Sequence, residues 1–402
     1  MKKTSEKYKF FESVTLCVIA LGIYNFVTQF VLYPILNRNM GDETFGNVLT
    51  LISVLSVVSM SVGVGTNYSR LANKPRFETF NGDYNRFLCV ALIPITVIPV
   101  VSLFFFENAS PLSFVFLPLL SVSIMLRYYS EAEFRLQTNY RKNFVFYIIL
   151  TVGSLLGLVF FKLTKSWETV ILTGEILAIV FAALCGNLLK KPFFKKSRMH
   201  KEVFRSCCAL SGSQFFCNLT LNADRLLINA FLTGTDVTVY YVASLLGKAM
   251  ALLTGPVSGV LIGFLAKTKN FGRKQFLLCS LFSIIMGLFV FVLFIPLAPL
   301  IIGLLYPETA IEAKKYFLLA NGGQIIYFIS NLLLVIVLRF TKEKLQLFIN
   351  VIYTVAFFAV SIPSLIFGNL ISFCTAVLVL NVLRMLSILI TGLYYSKSEK
   401  EA

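Results

Sequence analysis

Five ionisable side chains stand inside long apolar runs: Glu175, Asp224, Arg225, Lys248 and Arg384. A charge at the centre of a membrane helix costs about 2.5–3.5 kcal/mol on insertion scales. Arg grips phosphate or carboxylate with a planar fork, and Lys binds it as a point charge. Three bases against two acids therefore suit an anion held in a water-filled cavity. The plain alternative is structural pairing with Asp224 or Glu175, or snorkelling to an interface. Asp224 and Arg225 are neighbours on a helix and point apart, so they pair poorly with each other.

Uncharged polar residues recur beside these charges. Asn25 and Gln29 are four apart, hence on one helical face. Gln214, Asn218 and Asn222 repeat every four residues towards Arg225, and Asn321, Gln324 and Asn331 share one later run. Such stripes serve either interhelical hydrogen bonding or a polar lumen that accepts sugar hydroxyls.

The elements that must position them are membrane helices. The chain has 402 residues, 57% hydrophobic and 14% charged, against about 25% charged for a soluble domain. Twelve apolar runs, from 13–36 to 370–395, each approach or exceed the ~20 residues that cross a bilayer. The fold class is all-α, a polytopic membrane protein. At ~1.5 Å per residue, Asp224 lies about 26 Å along a run over 207–232, and Lys248 about 18 Å along one over 236–266. By the same rise, Arg384 lies about 21 Å along the last run. Gly255-Pro256 offers a kink beyond Lys248.

Of the 36 Lys and Arg, 28 fall in alternate segments that include both termini, 5 in the opposite segments and 3 inside runs. That bias predicts both termini in the cytoplasm and accounts for the net charge of +17 without nucleic acid. The longest basic stretch, within 190–206, divides a first six-helix lobe (1–189) from a second (207–402). It reads as a topogenic linker beside anionic lipid. Gly41 and Gly234 follow the first run of each half, and Pro94 and Pro99 match Pro296 and Pro299, so the halves look like parallel repeats.

Several chemistries lack their residues. The eight cysteines show no C-x-x-C, and His200 is the only histidine, which rules out a histidine-based metal site or triad. His200 reads as solvated. No G-x-S-x-G, Walker or H-E-x-x-H motif occurs. Glu131 and Glu133 lie among basic residues and read as a solvated helix end. No enzyme, cofactor or metal is predicted.

Several motifs carry a resemblance: N-x-x-D-R (Asn222–Arg225), G-x-x-x-x-x-Y (Gly234–Tyr240), R-x-Q-T-N-Y-R-K (Arg135–Lys142) and L-L-Y-P-E-T-A-I-E-A-K-K-Y (Leu304–Tyr316). In this order, on twelve runs, the chain resembles bacterial polysaccharide (O-antigen or capsule) flippases of the multidrug/oligosaccharidyl-lipid/polysaccharide exporter superfamily. It departs in having no basic residue in its first run. The resemblance implies two six-helix lobes around a central cavity in the bacterial plasma membrane. It implies alternating access that flips polyprenyl-diphosphate-linked oligosaccharide to the outer leaflet, with membrane lipids, a polysaccharide polymerase and chain-length machinery as partners. Lys248 and Arg384 would hold the diphosphate. Arg225, Asp224, Asn222, Asn218, Gln214, Gln29, Asn25 and Gln324 would line the path. The rivals are a cation-coupled multidrug exporter, which wants an acidic cavity, a membrane-embedded glycosyl or acyl transferase, which wants clustered acids or histidines, and a non-transporting scaffold.

Overall fold

The computed structural model describes residues 16, 19–74, 78–106, 110–137, 140–188, 190–252, 272–337, 341 and 343–398. Among them the regular structure is entirely helical. We number the helices α1 (Ile19–Met40), α2 (Asp42–Asn73), α3 (Asn81–Leu103), α4 (Ser113–Leu136), α5 (Tyr140–Thr164) and α6 (Glu168–Cys185). There follow α7 (His200–Phe231), α8 (Gly234–Leu252), α9 (Arg273–Leu305), α10 (Ala310–Val337), α11 (Glu343–Ile366) and α12 (Leu370–Ser398). These match the twelve apolar runs in order. The N-terminal lysines Lys2 to Lys9, Cys17, Thr138-Asn139 and Gly255-Pro256 lie outside the described residues.

Ten of the helices are long and apolar enough to cross a membrane, which makes this a multi-pass membrane protein. The other two, α7 and α8, carry the polar stripe, Asp224, Arg225 and Lys248, and these dilute their apolarity. Hydrocarbon supplies no partner for a backbone N–H or C=O, so a chain inside it must close its hydrogen bonds along each helix. Pro94, Pro99, Pro296 and Pro299 all remain inside continuous helices. The two glycines matched by the repeat differ: Gly41 turns the chain at φ 79°, whereas Gly234 opens α8. There Thr233 and Asp236 cap each other, the Thr233 hydroxyl donating to Asp236 Oδ2 at 2.6 Å and accepting the Asp236 N–H at 3.2 Å.

Two α-helices are interrupted by π turns, at Thr28–Leu32 in α1 and at Ser56–Met60 in α2. Gln29 therefore sits inside a wider turn, and the α-helical spacing that aligned it with Asn25 is broken at Thr28.

The chain forms two compact units, 1–226 and 227–402. The sequence places the division at 190–206; by packing it falls within α7. The cause is visible on that helix. Ser206 accepts a hydrogen bond from Ser69 at 2.9 Å, and Asn218 donates to Ser61 at 2.8 Å, so most of α7 is fastened to α2. Val203 and Cys207 enter the first unit's core with Val57, Tyr84, Ile95, Met125 and Tyr129. In the second unit α9, α10 and α12 share a core of Phe276, Ile325, Ile329, Leu333, Ile336 and Ile388.

Lipid tails are as apolar as leucine, so helices in a bilayer associate by close packing rather than by burial from water. The α5–α6 contact is of this kind. A Cβ on Gly153 would lie 2.7 Å from Gly174 Cα, and one on Gly157 would overlap the Val170 carbonyl. G157V should force these helices apart at about 1–3 kcal/mol. The check is thermal unfolding in detergent, where G157V is expected to melt several degrees below the parent protein.

Candidate functional site

Each unit buries an arginine, and the two are treated in opposite ways. In the first unit Arg127 of α4 is 3% exposed. Its Nε lies 2.7 Å from Glu175 Oε2 on α6, and its Nη1 lies 3.3 Å from Glu131. The guanidinium stacks 3.7 Å from the centre of the Tyr128 ring, with Tyr24 of α1 at 6.0 Å. Tyr147 of α5 donates to Glu131 Oε1 at 2.8 Å. Four helices thus meet on one neutralised cation.

This network corrects two sequence expectations. Glu131 and Glu133 are buried at 3% and 6% rather than solvated. Glu175, which the sequence offers as a structural partner for the interior cations, pairs with Arg127 of its own unit. Adding Arg127 and Glu131 to the interior charges leaves their balance at +1. Sequence reasoning had one signal available: Arg127 and Glu131 are four apart, which places them on one helical face.

The R-x-Q motif closes the same corner. Arg135 bonds Glu131 Oε2 at 3.1 Å, and Gln137 donates to Glu133 Oε1. Glu133 Oε2 accepts the N–H groups of Asn187 and Leu188, both at 2.9 Å, just beyond α6. These residues tie the end of α4 to the chain leaving α6.

The polar stripe on α7 is also largely spoken for. Asn218 is buried and donates to Ser61, and Asn222 donates to the Asn218 carbonyl at 2.9 Å. Asp224 is buried, and its Oδ1 accepts the Arg225 backbone N–H at 2.8 Å. Gln214, Arg225, Asn25 and Gln29 are half-buried. In this stripe Asn218 fastens α7 to α2, and Asn222 bonds back to its own helix.

In the second unit α10 serves as the platform. Its buried Asn321 accepts the Gly247 N–H at 2.6 Å and donates to the Ala243 carbonyl, which clamps α8 against α10. Gly247 allows that approach: a Cβ there would lie 2.7 Å from Gln324 Cβ. The clamp sets the next residue, Lys248, whose Nζ lies 5.1 Å from the Tyr240 ring centre. Gln324 donates to the Tyr240 hydroxyl at 3.3 Å. Tyr240, the last residue of G-x-x-x-x-x-Y, is a neighbour of this lysine, which the motif alone does not reveal.

Gln324 and Asn331 are seven apart, so they share a face about 10 Å apart along α10. Asn331 belongs to the second cation. Arg384 of α12 is 6% exposed. Its Nη1 donates to Ser330 Oγ at 2.7 Å, and its Nη2 donates to Asn331 Oδ1 at 2.9 Å and Asn350 Oδ1 at 3.1 Å. Tyr327 and Tyr353 flank the guanidinium at 4.6 and 4.7 Å. Tyr353 is itself held: it donates to Asn381 Oδ1 at 2.9 Å, and Asn381 donates to the Gly323 carbonyl at 3.0 Å.

Every partner of Arg384 among the described residues is neutral. Its Nε is buried and makes no hydrogen bond there. Amide oxygens and aromatic faces orient a guanidinium and ease its desolvation, but they do not cancel its charge. The arrangement is a cation whose orientation is fixed and whose charge no described carboxylate cancels. The sequence located Arg384. It missed Tyr327, Tyr353 and Asn350, whose relation to Arg384 is tertiary.

No protein-family model and no curated protein matches the sequence. Solved structures do match in fold. A lipid II flippase, MurJ, in an inward closed conformation aligns at TM-score 0.68 with 12% identity, over 96% of this chain and 86% of that one. An inward-facing multidrug resistance MATE family transporter of the MOP superfamily aligns at 0.60 with 12% identity, over 97% and 96%. The Vibrio cholerae MATE transporter VcmN in its bent form aligns at 0.56 with 14% identity, over 98% of each chain. The all-α fold is shared with these transporters.

The two arginines differ in a measurable way. R127M leaves Glu175 buried without its cation and takes one of two arginines from Glu131, and is expected to cost about 3–5 kcal/mol. R127M/E175M removes both charges and should recover most of that loss. Thermal and chaotrope unfolding of the detergent-solubilised variants measures the difference.

Proposed function

We propose that this protein is a flippase for polyprenyl-diphosphate-linked oligosaccharide, moving it by alternating access from the inner to the outer leaflet of the bacterial plasma membrane for O-antigen or capsule assembly. The observation that carries this reading is Arg384: a buried guanidinium, oriented by three neutral side-chain oxygens and two tyrosines, with no carboxylate partner among the described residues. A permanent cation in hydrocarbon is retained where an anion comes to it. In this reading Arg384 and Lys248 take the diphosphate, one by its fork and one as a point charge. Gln324 and the tyrosine hydroxyls around them meet sugar hydroxyls. The lipid tail stays in the bilayer, and no nucleotide chemistry is required. The likeness to a protein named a lipid II flippase supports the substrate kind. The chain-length machinery and polymerase would receive the product.

A multidrug exporter shares the fold. Lipophilic cations want an uncompensated acid, and Glu131 and Glu175 are both bound to Arg127. That pairing favours the anionic substrate.

The test is reconstitution into vesicles loaded with a fluorescent polyprenyl-diphosphate oligosaccharide. A hydrogen bond to a charged group contributes about 1.5–3 kcal/mol, so R384Q should slow flipping by roughly 10- to 100-fold, with K248Q slowed less. In cells R384Q and K248Q should lose surface glycan at unchanged protein level. Flipping within twofold of the parent in R384Q, or transport of ethidium that is insensitive to both substitutions, would sink the proposal.

A further inference from the structure

The first unit holds a second cationic site that the proposed transport does not use. The segment 190–199 is strapped to the start of α3. Asn81 donates to the carbonyls of Asn187 and Lys190 at 2.8 and 3.0 Å, and Asn85 donates to that of Phe193 at 3.0 Å. Asp83 is the fastener: its Oδ2 accepts the Phe80 N–H and its Oδ1 the Ser197 N–H, both at 2.9 Å. The basic linker is therefore a docked strap, and the start of α7 follows directly from it.

Between strap, α3 and α7 lies a groove of about 540 Å³, lined by Arg86, Cys89, Phe194, Lys201, Phe204 and Arg205 among others. His200 lines it too, half-buried with Nδ1 3.2 Å from the Ser197 carbonyl, which corrects the expectation of a merely solvated histidine. Arg86 Nη2 donates to the Phe194 carbonyl at 3.2 Å, which aims the guanidinium, while its buried Nε has no partner. Lys201 and Arg205 are exposed and four apart on α7, on the same face. The only carboxylate in the lining is Asp83, whose two oxygens are already occupied. The N-terminal turn of α7 adds its own positive end.

The groove continues into an apolar track. Val90, Ile93, Val97 and Val101 of α3 are 59%, 69%, 49% and 47% exposed, spaced three or four apart along one side of a membrane-crossing helix. A soluble phosphate compound has no use for such a track. A cationic head site that opens onto a hydrocarbon-facing helix has the chemistry of an anionic phospholipid. We infer that this groove binds the headgroup of an anionic phospholipid, with Arg86, Lys201 and Arg205 on the phosphate and an acyl chain laid along α3. This site is independent of the substrate proposed for the second unit.

The experiment incubates the full-length protein in micelles containing equal phosphatidylglycerol and phosphatidylcholine, isolates it by gel filtration and measures bound lipid by mass spectrometry. Phosphatidylglycerol should be retained over phosphatidylcholine. Each cation near an anionic surface contributes roughly a factor of five, so K201Q/R205Q should weaken retention about 30-fold. K162Q/K165Q, at the far end of α5, should leave it unchanged. Because salt at about 1 M shortens the Debye length to about 3 Å, the unaltered protein should lose the same lipid on a high-salt wash, which tests the idea without any variant. Equal retention by K201Q/R205Q and the parent overturns the site. So does displacement of the lipid by millimolar inorganic phosphate, which would make the groove a phosphate site with no need of the chain.

Discussion

Hydrocarbon gives a buried charge nothing to bond, and this constraint orders the whole interior. The two buried arginines meet it in different ways. Arg127 has its counter-charges inside the protein. Two carboxylates and the Tyr128 face hold it, the Tyr147 hydroxyl holds one of those carboxylates, and the helices that supply them are pinned together by the same contacts. Such a pair adds little net stability over an apolar substitute, yet it penalises any packing that separates its members. It therefore acts more on which arrangement of α1, α4, α5 and α6 forms than on how stable that arrangement is.

Arg384 stands differently: no described residue supplies its counter-charge, and neutral groups orient it at several points. Three oxygens fix the fork, two rings wall it, and Asn381 fixes one of the rings from behind. A flexible lysine at that depth would find an interface by snorkelling. A guanidinium held at three points stays. Orientation without neutralisation among the described residues sets Arg384 apart from Arg127, and α10 is the scaffold for both second-unit cations. Asn321 places α8 and hence Lys248, and two turns later Ser330 and Asn331 receive Arg384.

Much of the fold was legible in the sequence because the bilayer imposes a period and a length. Among the described residues twelve helices follow the twelve apolar runs in order, and Lys248 and Arg384 stand out in the sequence as charges within apolar runs. What failed shares one cause. Sequence distance along a helix end does not report whether that end is covered. Arg127, Glu131 and Glu133 sit among basic residues that suggest water, yet α5, α6 and the chain beyond α6 close over them. Asn218 and Asn222 keep a regular spacing that suggests a wall, yet Ser61 on α2 takes one and the backbone takes the other. The π turns at Thr28 and Ser56 leave no mark in residue type at all.

The motifs behind the sequence resemblance divide on the same ground. R-x-Q is consumed by the fold, since Arg135 and Gln137 spend themselves on Glu131 and Glu133. Tyr240 is different: it is buried, but it bonds Gln324 and stands under the Lys248 ammonium. A short motif can therefore mark an architecture through fasteners and a site through residues with bonding capacity left over. Only the second kind bears on the proposed substrate. That proposal rests on Tyr240, Lys248 and Arg384, while the R-x-Q corner reports the packing of the first unit.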